Sequence, residues 1–300
     1  MMERPRVEQE ARRRAAERAV YRRRRLFALG AVIAGAGIVV AAVAAIRHSG
    51  NGGEVTIEAG PAKTVTIPEG YDRKQIAEIA KQAGLRGDYL KASESFKGFN
   101  PDRYGAQNPP SLEGFLFPAT YDLPHKPNVD DLIARQLDAF NQYMDQVNMK
   151  YAKSKNLTPY DVLIIASMIE REAVVEKDRK LIAAVIYNRL SQGMPLQIDA
   201  TIRFAENNWT KPLTESDLHI SSPYNTYENT GLPPTPIGNP GLASIEAAAH
   251  PANVNYLYYV AKPNGCGHFF TASYSAFQAA QARYNSARAA AGGNSPTNCP

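Results

Sequence analysis

Cysteine and tryptophan are scarce in this chain of 300 residues, which contains two cysteines and one tryptophan. Cys266 and Cys299 are too far apart for the paired Cys-x-x-Cys spacing of a structural zinc site. The five histidines form no His-x-x-x-His pair, and no serine lies in a Gly-x-Ser-x-Gly turn. The sequence therefore lacks the common patterns of zinc enzymes and of serine hydrolases.

An excess of positive charge is absent outside the N-terminus, although the whole chain has a net charge of +5. Residues 1–25 contain ten arginines and four glutamates, so the remaining 275 residues sum to −1. A basic groove for nucleic acid is therefore not expected, and we predict no nucleic-acid partner. A nucleic-acid role for the arginine tail itself is the less favoured reading of this segment.

One long uncharged run, LFALGAVIAGAGIVVAAVAAI at residues 26–46, follows these arginines. As a helix it would rise about 30 Å, the thickness of the hydrocarbon core of a bilayer. Arginines before a span favour a cytoplasmic N-terminus. We therefore predict a single-pass anchor in the cell membrane, with the rest of the chain outside. A cleaved signal peptide is the alternative, but its apolar region is usually shorter, about 7–15 residues.

The remaining pattern predicts an α+β fold. After a Gly-rich linker, the strand-like TVTI and the helical DRKQIAEIAKQAGL predict a small β–α unit, with a second helix in GDYLKASESF. The turn-rich NPDRYGAQNPPS ends this unit, and several amphipathic segments follow. The expected organisation is a tail at 1–25, a membrane helix at 26–46, a linker at 47–62, a small module at 63–110, a main domain at 111–290 and a flexible end at 291–300.

A helix in the main domain, NLTPYDVLIIASMIEREA, ends in two glutamates. Thr158, Pro159 and Asp161 have the spacing of a capped helix start. Glu172 continues an apolar stripe of this helix, so its surroundings should be dry and its pKa raised. Glu170 lies beside a less apolar face. Glutamates at helix ends are usually solvated, which is the alternative for both.

Other charged and aromatic residues allow both a structural and a functional reading. Glu176 is expected to repel Glu172 if the helix continues. Asp199 has the sequence position of a helix N-cap, and a second catalytic carboxylate is the alternative. Glu172 with His250 and His268 would be the best metal set, but no spacing supports it, so we predict no metal and no cofactor. Aromatics in PYNTYENTGLPP, YLYYV and GHFF line either a carbohydrate groove or the core.

Several ordered motifs resemble the endolytic murein lytic transglycosylases of the YceG-like family. They are LEGFLFPATY, ASMIEREA, VIYNRL, GMPLQIDATIRFA, SPYNTYENTGLPPTPIGNPGLASIEAAAHPA, YLYYVA and GHFFT. The resemblance implies a LysM-like module before a catalytic domain with a buried helix that carries the catalytic glutamate. By position in the motif, that glutamate is Glu172, with Glu170 as the second candidate. The matching blocks imply substrate-binding or site-shaping roles for Gln197, Asp199, Thr201, Tyr224, Asn225, Thr226 and His268.

The resemblance also implies a reaction. Family members cut the β-1,4 bond between N-acetylmuramic acid and N-acetylglucosamine within peptidoglycan glycan strands and leave 1,6-anhydro ends. Termination of nascent strand elongation, with peptidoglycan synthases as partners, is the implied cellular role. A membrane-anchored wall-binding protein without activity and a muramidase-type hydrolase are the alternatives.

The two cysteines are then expected in an exported domain, where an even number permits a disulfide. Cys266 lies in a turn in which the family commonly has glycines, which favours a bond to Cys299. Two free thiols are the alternative.

Overall fold

The computed structural model describes residues 63–293. The predicted tail, membrane segment and linker, and the chain from residue 294 onward, lie outside the described residues. Within residues 63–293 no helix combines the length and the apolar character that a membrane span requires. The span at residues 26–46 therefore stays a prediction.

The described chain is α+β, as the sequence predicts. Two strand pairs are both antiparallel: β1 (Lys63–Thr66) with β2 (Thr120–Leu123), and β3 (Tyr258–Ala261) with β4 (His268–Thr271). The helices are α1 (Arg73–Gln82), α2 (Tyr89–Ala92), α3 (Val129–Met144), α4 (Lys150–Ser154), α5 (Pro159–Glu172), α6 (Arg179–Ser191), α7 (Asp199–Ala205), α8 (Leu242–Ala249) and α9 (Tyr274–Ala290).

The small β–α unit shares its packing with the rest of the chain. Strand β1 precedes the predicted boundary near residue 110, but its partner β2 follows it, and Val65 faces Tyr121 across the pair. Both side chains are buried in one hydrophobic cluster that contains residues from either side of that boundary. The division into modules stays a prediction, and packing continues across it.

Helix α5 begins as predicted and lies in the core. The hydroxyl of Thr158 accepts a hydrogen bond from the backbone N–H of Asp161, and the Asp161 carboxylate accepts one from the N–H of Thr158. All residues from 162 to 169 are buried, because α6 and α8 pack against this helix. The helix ends at Glu172, since Ala173 has an extended conformation with ψ of 113°. The apolar stripe therefore stops at Glu172 and does not continue to Val175.

The Pro/Gly/Asn-rich stretch at residues 221–241 is held in place by the buried side chain of Asn239. Asn239 donates to the carbonyl of Tyr71 and to the carboxylate of Glu113, at 2.9 and 2.8 Å. Its carbonyl oxygen accepts from the N–H groups of Gly114 and Leu116, both at 2.9 Å. One side chain thus joins this loop to two earlier segments.

Strand β3, which overlaps the YLYYV motif, is not fully buried. All four of its residues are only half-buried. Its pairing with β4 forms a hairpin whose aromatic side chains border a cleft, so the apolar sequence serves a surface rather than the core.

Candidate active site

Glu172, the last residue of α5, borders a cleft of about 540 Å³. Segments distant in sequence form the other walls of this cleft. They contribute Arg189 from α6, Leu196, Gln197 and Asp199 before and within α7, Tyr227 from the long loop, Tyr258, Tyr259, Val260 and Ala261 from β3, His268 from β4, and Tyr274, Phe277, Gln281 and Tyr284 from α9.

The carboxyl group of Glu172 has an environment that favours its protonated form. Burial, followed by the negative charge of Asp199, raises its pKa from 4.5 to about 7. The phenol of Tyr259 donates a hydrogen bond to Oε2 at 3.1 Å, which limits this rise. The expected repulsion by Glu176 is wrong, because Glu176 lies near Arg179 at 3.7 Å and the like charge beside Glu172 belongs to Asp199. Glu172 can therefore hold and release a proton near neutral pH.

Glu170, the second candidate, is fully engaged in structural contacts. Its Oε1 pairs with Arg179 at 3.1 Å, and the Glu170 side chain is only 7% exposed. Its Oε2 accepts a hydrogen bond from the N–H of Gly241 at 3.0 Å. Both faces of α5 are thus buried, and Glu170 forms an ion pair with Arg179, whereas Glu172 accepts a hydrogen bond from Tyr259. Glu170 joins α5 to α6 and to the start of α8.

Arg171, between the two glutamates, points toward the β–α unit. Its guanidinium lies 3.6 Å from the ring centroid of Trp209 and donates to the side chain of Gln75. Trp209 in turn donates from its indole nitrogen to Asp72 at 2.6 Å. The three consecutive charged residues of α5 therefore have different contacts. Glu170 forms an ion pair, Arg171 makes a cation–π contact, and Glu172 lines the cleft.

Asp199 is the second carboxylate of the cleft. The prediction that it caps α7 is wrong, because Ile198 occupies the N-cap position and no side chain caps this helix. The Asp199 carboxylate instead accepts a hydrogen bond from the phenol of Tyr227. Its charge acts on Glu172, so a functional reading of Asp199 fits its position better.

The residues implied as substrate-binding divide into two groups. Gln197 and His268 line the cleft. His268 is oriented by Asp178, whose Oδ2 lies 3.0 Å from Nδ1 and accepts the backbone N–H of His268 at 2.7 Å. Gln197 has a positive φ of 54°, and its side chain accepts a hydrogen bond from Arg189 at 3.1 Å. These two side chains thus border the cleft of Glu172, and Arg189 and Asp178 hold them there.

The other group does not line the cleft, and three of its members, Thr201, Asn225 and Thr226, are buried. The hydroxyls of Thr201 and Thr226 lie 3.0 Å apart, and Asn225 donates to the carbonyls of Leu218 and Ile220. The phenol of Tyr224 lies 2.9 Å from the hydroxyl of Thr235 and borders a separate cavity. These side chains shape the walls, since none of them lines the cleft that contains Glu172.

Sequence reasoning missed the individual roles of Tyr259, Tyr227 and Arg189. Arg189 donates to the carbonyls of Leu257, Pro195 and Leu196 at 2.7–3.0 Å, which fixes β3 and the segment before α7 against α6. The YLYYV and PYNTYENTGLPP motifs marked the two tyrosines as possible groove residues. No local signal assigned them to Glu172 and Asp199, because those contacts join distant segments.

Among the residues that the structure describes, no group of three or more His, Cys, Asp or Glu side chains is arranged to hold a metal ion. Cys266, in the turn between β3 and β4, is disulfide-bonded, and the described residues include no free cysteine. Cys299 lies outside the described residues, so its pairing with Cys266 stays a prediction.

Comparison with known proteins assigns the chain to a family. The model of the YceG-like family matches residues 41–283. The chain belongs to the YceG-like family. A crystal structure of a YceG-like protein from Listeria monocytogenes is similar to it, with 32% identity, a TM-score of 0.62, and coverage of 72% of this chain and 75% of that one.

Two curated relatives carry the name endolytic murein transglycosylase. The Bacillus subtilis (strain 168) protein is 45% identical over 156 residues, which cover 51% of this chain and 43% of the relative. The Streptococcus pneumoniae (strain ATCC BAA-255 / R6) protein is 36% identical over 228 residues, covering 66% of this chain and 40% of the relative. This YceG-like chain thus spans about two fifths of the length of these relatives.

The two glutamates should respond oppositely to loss of charge. Because folding raises the pKa of Glu172, the proton it retains stabilises the fold at low pH, and this contribution is lost as pH rises from about 4.5 through about 7. Glu172→Gln should therefore raise the melting temperature more at pH 8 than at pH 4.5. Glu170→Gln removes the closer and more buried of the two acidic partners of Arg179 and should cost about 3 kcal/mol at pH 8. Thermal unfolding at both pH values tests this, and a destabilised Glu172→Gln at pH 8 contradicts it.

Removing the hydroxyl of Tyr259 should raise the pKa of Glu172 further, because the hydrogen bond that this hydroxyl donates stabilises the charged carboxylate. The pKa is measured by ¹³C NMR titration of labelled glutamate carboxyls in Tyr259→Phe, with the signal assigned through Glu172→Gln. Tyr258→Phe is the matched control, since the Tyr258 ring stacks on Phe277. An unchanged pKa in Tyr259→Phe would show that this contact does not act on Glu172.

Proposed function

We propose that this chain is an endolytic peptidoglycan lytic transglycosylase. It cleaves the β-1,4 bond between N-acetylmuramic acid and N-acetylglucosamine inside glycan strands and leaves 1,6-anhydro-N-acetylmuramic ends. The observation that carries the proposal is Glu172, a buried carboxyl in this cleft whose pKa is raised to about 7. The family match and the names of the curated relatives support the same activity.

Glu172 acts first as a general acid. Its raised pKa leaves a proton available near neutral pH, and this proton passes to the glycosidic oxygen as the bond to C1 breaks. Tyr259 holds Oε2, so we assign the proton transfer to Oε1. The departing N-acetylglucosamine then carries a free 4-hydroxyl.

Glu172 acts next as a general base. As carboxylate it takes the proton from the 6-hydroxyl of the muramic residue while that oxygen attacks C1. The new bond closes the 1,6-anhydro ring and restores protonated Glu172. An internal hydroxyl has a high effective concentration, so neither water nor a second acid–base group is required.

Asp199 has a supporting role in this proposal. Positive charge develops at C1 and the ring oxygen in the transition state. The negative charge of Asp199, held by Tyr227, can stabilise it. Asp199 also provides the one observation that favours a second candidate function, a muramidase-type hydrolase, because such enzymes use two carboxylates.

The location is a further part of the proposal. We infer that residues 26–46 anchor the chain in the cell membrane with the arginine-rich tail in the cytoplasm, so that the cleft meets peptidoglycan outside. The β–α unit at 63–110 is assigned as a LysM-like module that lies close to the wall. Peptidoglycan synthases are the partners that fit termination of nascent strands.

Glu172→Gln should lose at least about 100-fold in cleavage rate, because glutamine neither donates nor recovers a proton. Glu170→Gln is the matched control and should retain activity where it remains folded. The wild-type rate should fall as pH rises through about 7, since the protonated form of Glu172 is the acid. Cleavage of purified peptidoglycan is followed by mass spectrometry of the soluble products.

The products distinguish the candidate reactions. Internal 1,6-anhydro ends are expected in ordinary and in ¹⁸O-labelled water. Reducing ends that contain ¹⁸O would identify a hydrolase and assign Asp199 a direct catalytic role. Strand binding without cleavage would identify a wall-binding protein.

Membrane topology is tested with a reporter fused after Pro300 that functions only outside the cytoplasm. This reporter should be active. If instead a second reporter, which functions only in the cytoplasm, is active at the same position, the enzyme would be separated from its proposed substrate.

We also propose a disulfide between Cys266 and Cys299, so alkylation of the unreduced, denatured protein should detect no free thiol. Two alkylatable thiols would exclude the disulfide.

A further inference from the structure

One face of α9 carries aromatic side chains along the cleft. Tyr274, Phe277, Gln281 and Tyr284 all line the cavity that contains Glu172. Their spacing of three, four and three residues places them on one side of a helix. From Tyr274 to Tyr284 the helix rises about 15 Å, which is longer than a single pyranose ring.

Tyr258 on β3 adds to this surface, because it lines the same cavity as Glu172. The ring centroid of Tyr258 lies 5.5 Å from that of Tyr274 and 5.4 Å from that of Phe277. We call Tyr258, Tyr274, Phe277 and Tyr284 the aromatic wall. It connects the end of the cleft that holds the carboxylates to the outer part of α9.

The exposure of the aromatic wall is not that of a core. Tyr274 is 57% exposed, although its ring is large and mostly apolar. Phe277 and Tyr284 are half-buried, and the only fully buried residue of α9 is Ala280. Large aromatic rings left at the surface and bordering a cleft are typical of a binding site.

We propose that the aromatic wall is a stacking platform for several sugar rings of a polysaccharide strand, on the side of the cleft away from the scissile bond. This inference rests on the proposed function of Glu172. The C–H groups on the face of a pyranose ring are electropositive and fit the electron-rich face of an aromatic ring. The hydroxyls at the sugar edge need polar partners, and Gln281 and Gln197 line the same cavity. An apolar protein partner would not use these amides.

The platform explains how the enzyme would select internal bonds. A strand that extends beyond the cleaved bond gains contacts with the aromatic wall, whereas a terminal disaccharide reaches only the carboxylate end. Binding free energy from remote sugars then favours long strands. The platform thus acts on strand length and not on the proton transfers.

The platform is tested by measuring binding to full-length protein that carries Glu172→Gln. Two ligands are compared: long, peptide-free glycan strands and the isolated N-acetylglucosaminyl-N-acetylmuramic disaccharide. Adding Tyr274→Ala should weaken the Kd for long strands about 10-fold and leave that for the disaccharide unchanged. Tyr274→Trp should retain strand binding. Tyr151→Ala is the matched control, because Tyr151 is an exposed tyrosine on α4 outside the cleft.

Equal strand binding by the parent and by folded Tyr274→Ala and Phe277→Ala would overturn the platform. Loss of self-association in Tyr274→Ala, with strand binding unchanged, would assign the surface to a protein contact and also overturn it. The proposed function fails separately: if wild-type protein binds strands in a Tyr274-dependent way and releases no anhydro products, the platform stands without the activity. Thermal unfolding of each variant verifies that it is folded.

Discussion

Desolvation of one carboxyl group at the end of a buried helix is the constraint on which the rest of the site depends. Helix α5 is buried from residue 162 to 169, so Glu172 emerges beside the core and not into bulk water. The C-terminal end of a helix also has a partial negative charge, which further disfavours a carboxylate there. Among the described residues, Arg179 forms an ion pair with Glu170, whereas Glu172 forms none. The hydrogen bonds from Tyr259 and from the N–H of Ala200, and the charge of Arg203, offset the desolvation of Glu172 only in part, so its pKa stays raised to about 7 and the group is an acid near neutral pH.

Polar side chains in the surrounding elements, Arg189 and Asp178, hold the neighbours of this carboxyl in place. The Arg189 guanidinium donates to three backbone carbonyls of two segments, which sets β3 and with it Tyr259 against α6. Asp178 accepts two hydrogen bonds from His268 and so fixes the start of β4. The hairpin is therefore anchored from both strands. Because its hydrogen-bond donor Tyr259 and its like-charged neighbour Asp199 are both held in place, Glu172 has a single environment and therefore a single pKa. Mobile neighbours would not ensure this.

The cleft combines two chemistries that meet at β3. Tyr259 faces the carboxylates, and Tyr258 joins the aromatic wall on α9. Neighbouring residues on one half-buried strand thus serve proton transfer and strand binding. This arrangement connects the proposed acid to the proposed platform over a short distance, and it accounts for a sequence as rich in tyrosine as YLYYV at the surface of the protein.

The sequence by itself determined the start of α5 and the α+β class, because capping and helical periodicity are local, and its ordered motifs predict Glu172 as the catalytic glutamate by resemblance to a family. It misjudged Asp199, since its local pattern is that of an N-cap while its hydrogen bond comes from Tyr227, 28 residues away. Only the tertiary structure showed why the surroundings of Glu170 and Glu172 differ. Both are glutamates at one helix end with similar burial, and what distinguishes them is Arg179 beside one and Tyr259, 87 residues away, beside the other. A pKa depends on all charges and dipoles nearby in space, and those neighbours are set by packing between segments that the local sequence does not encode.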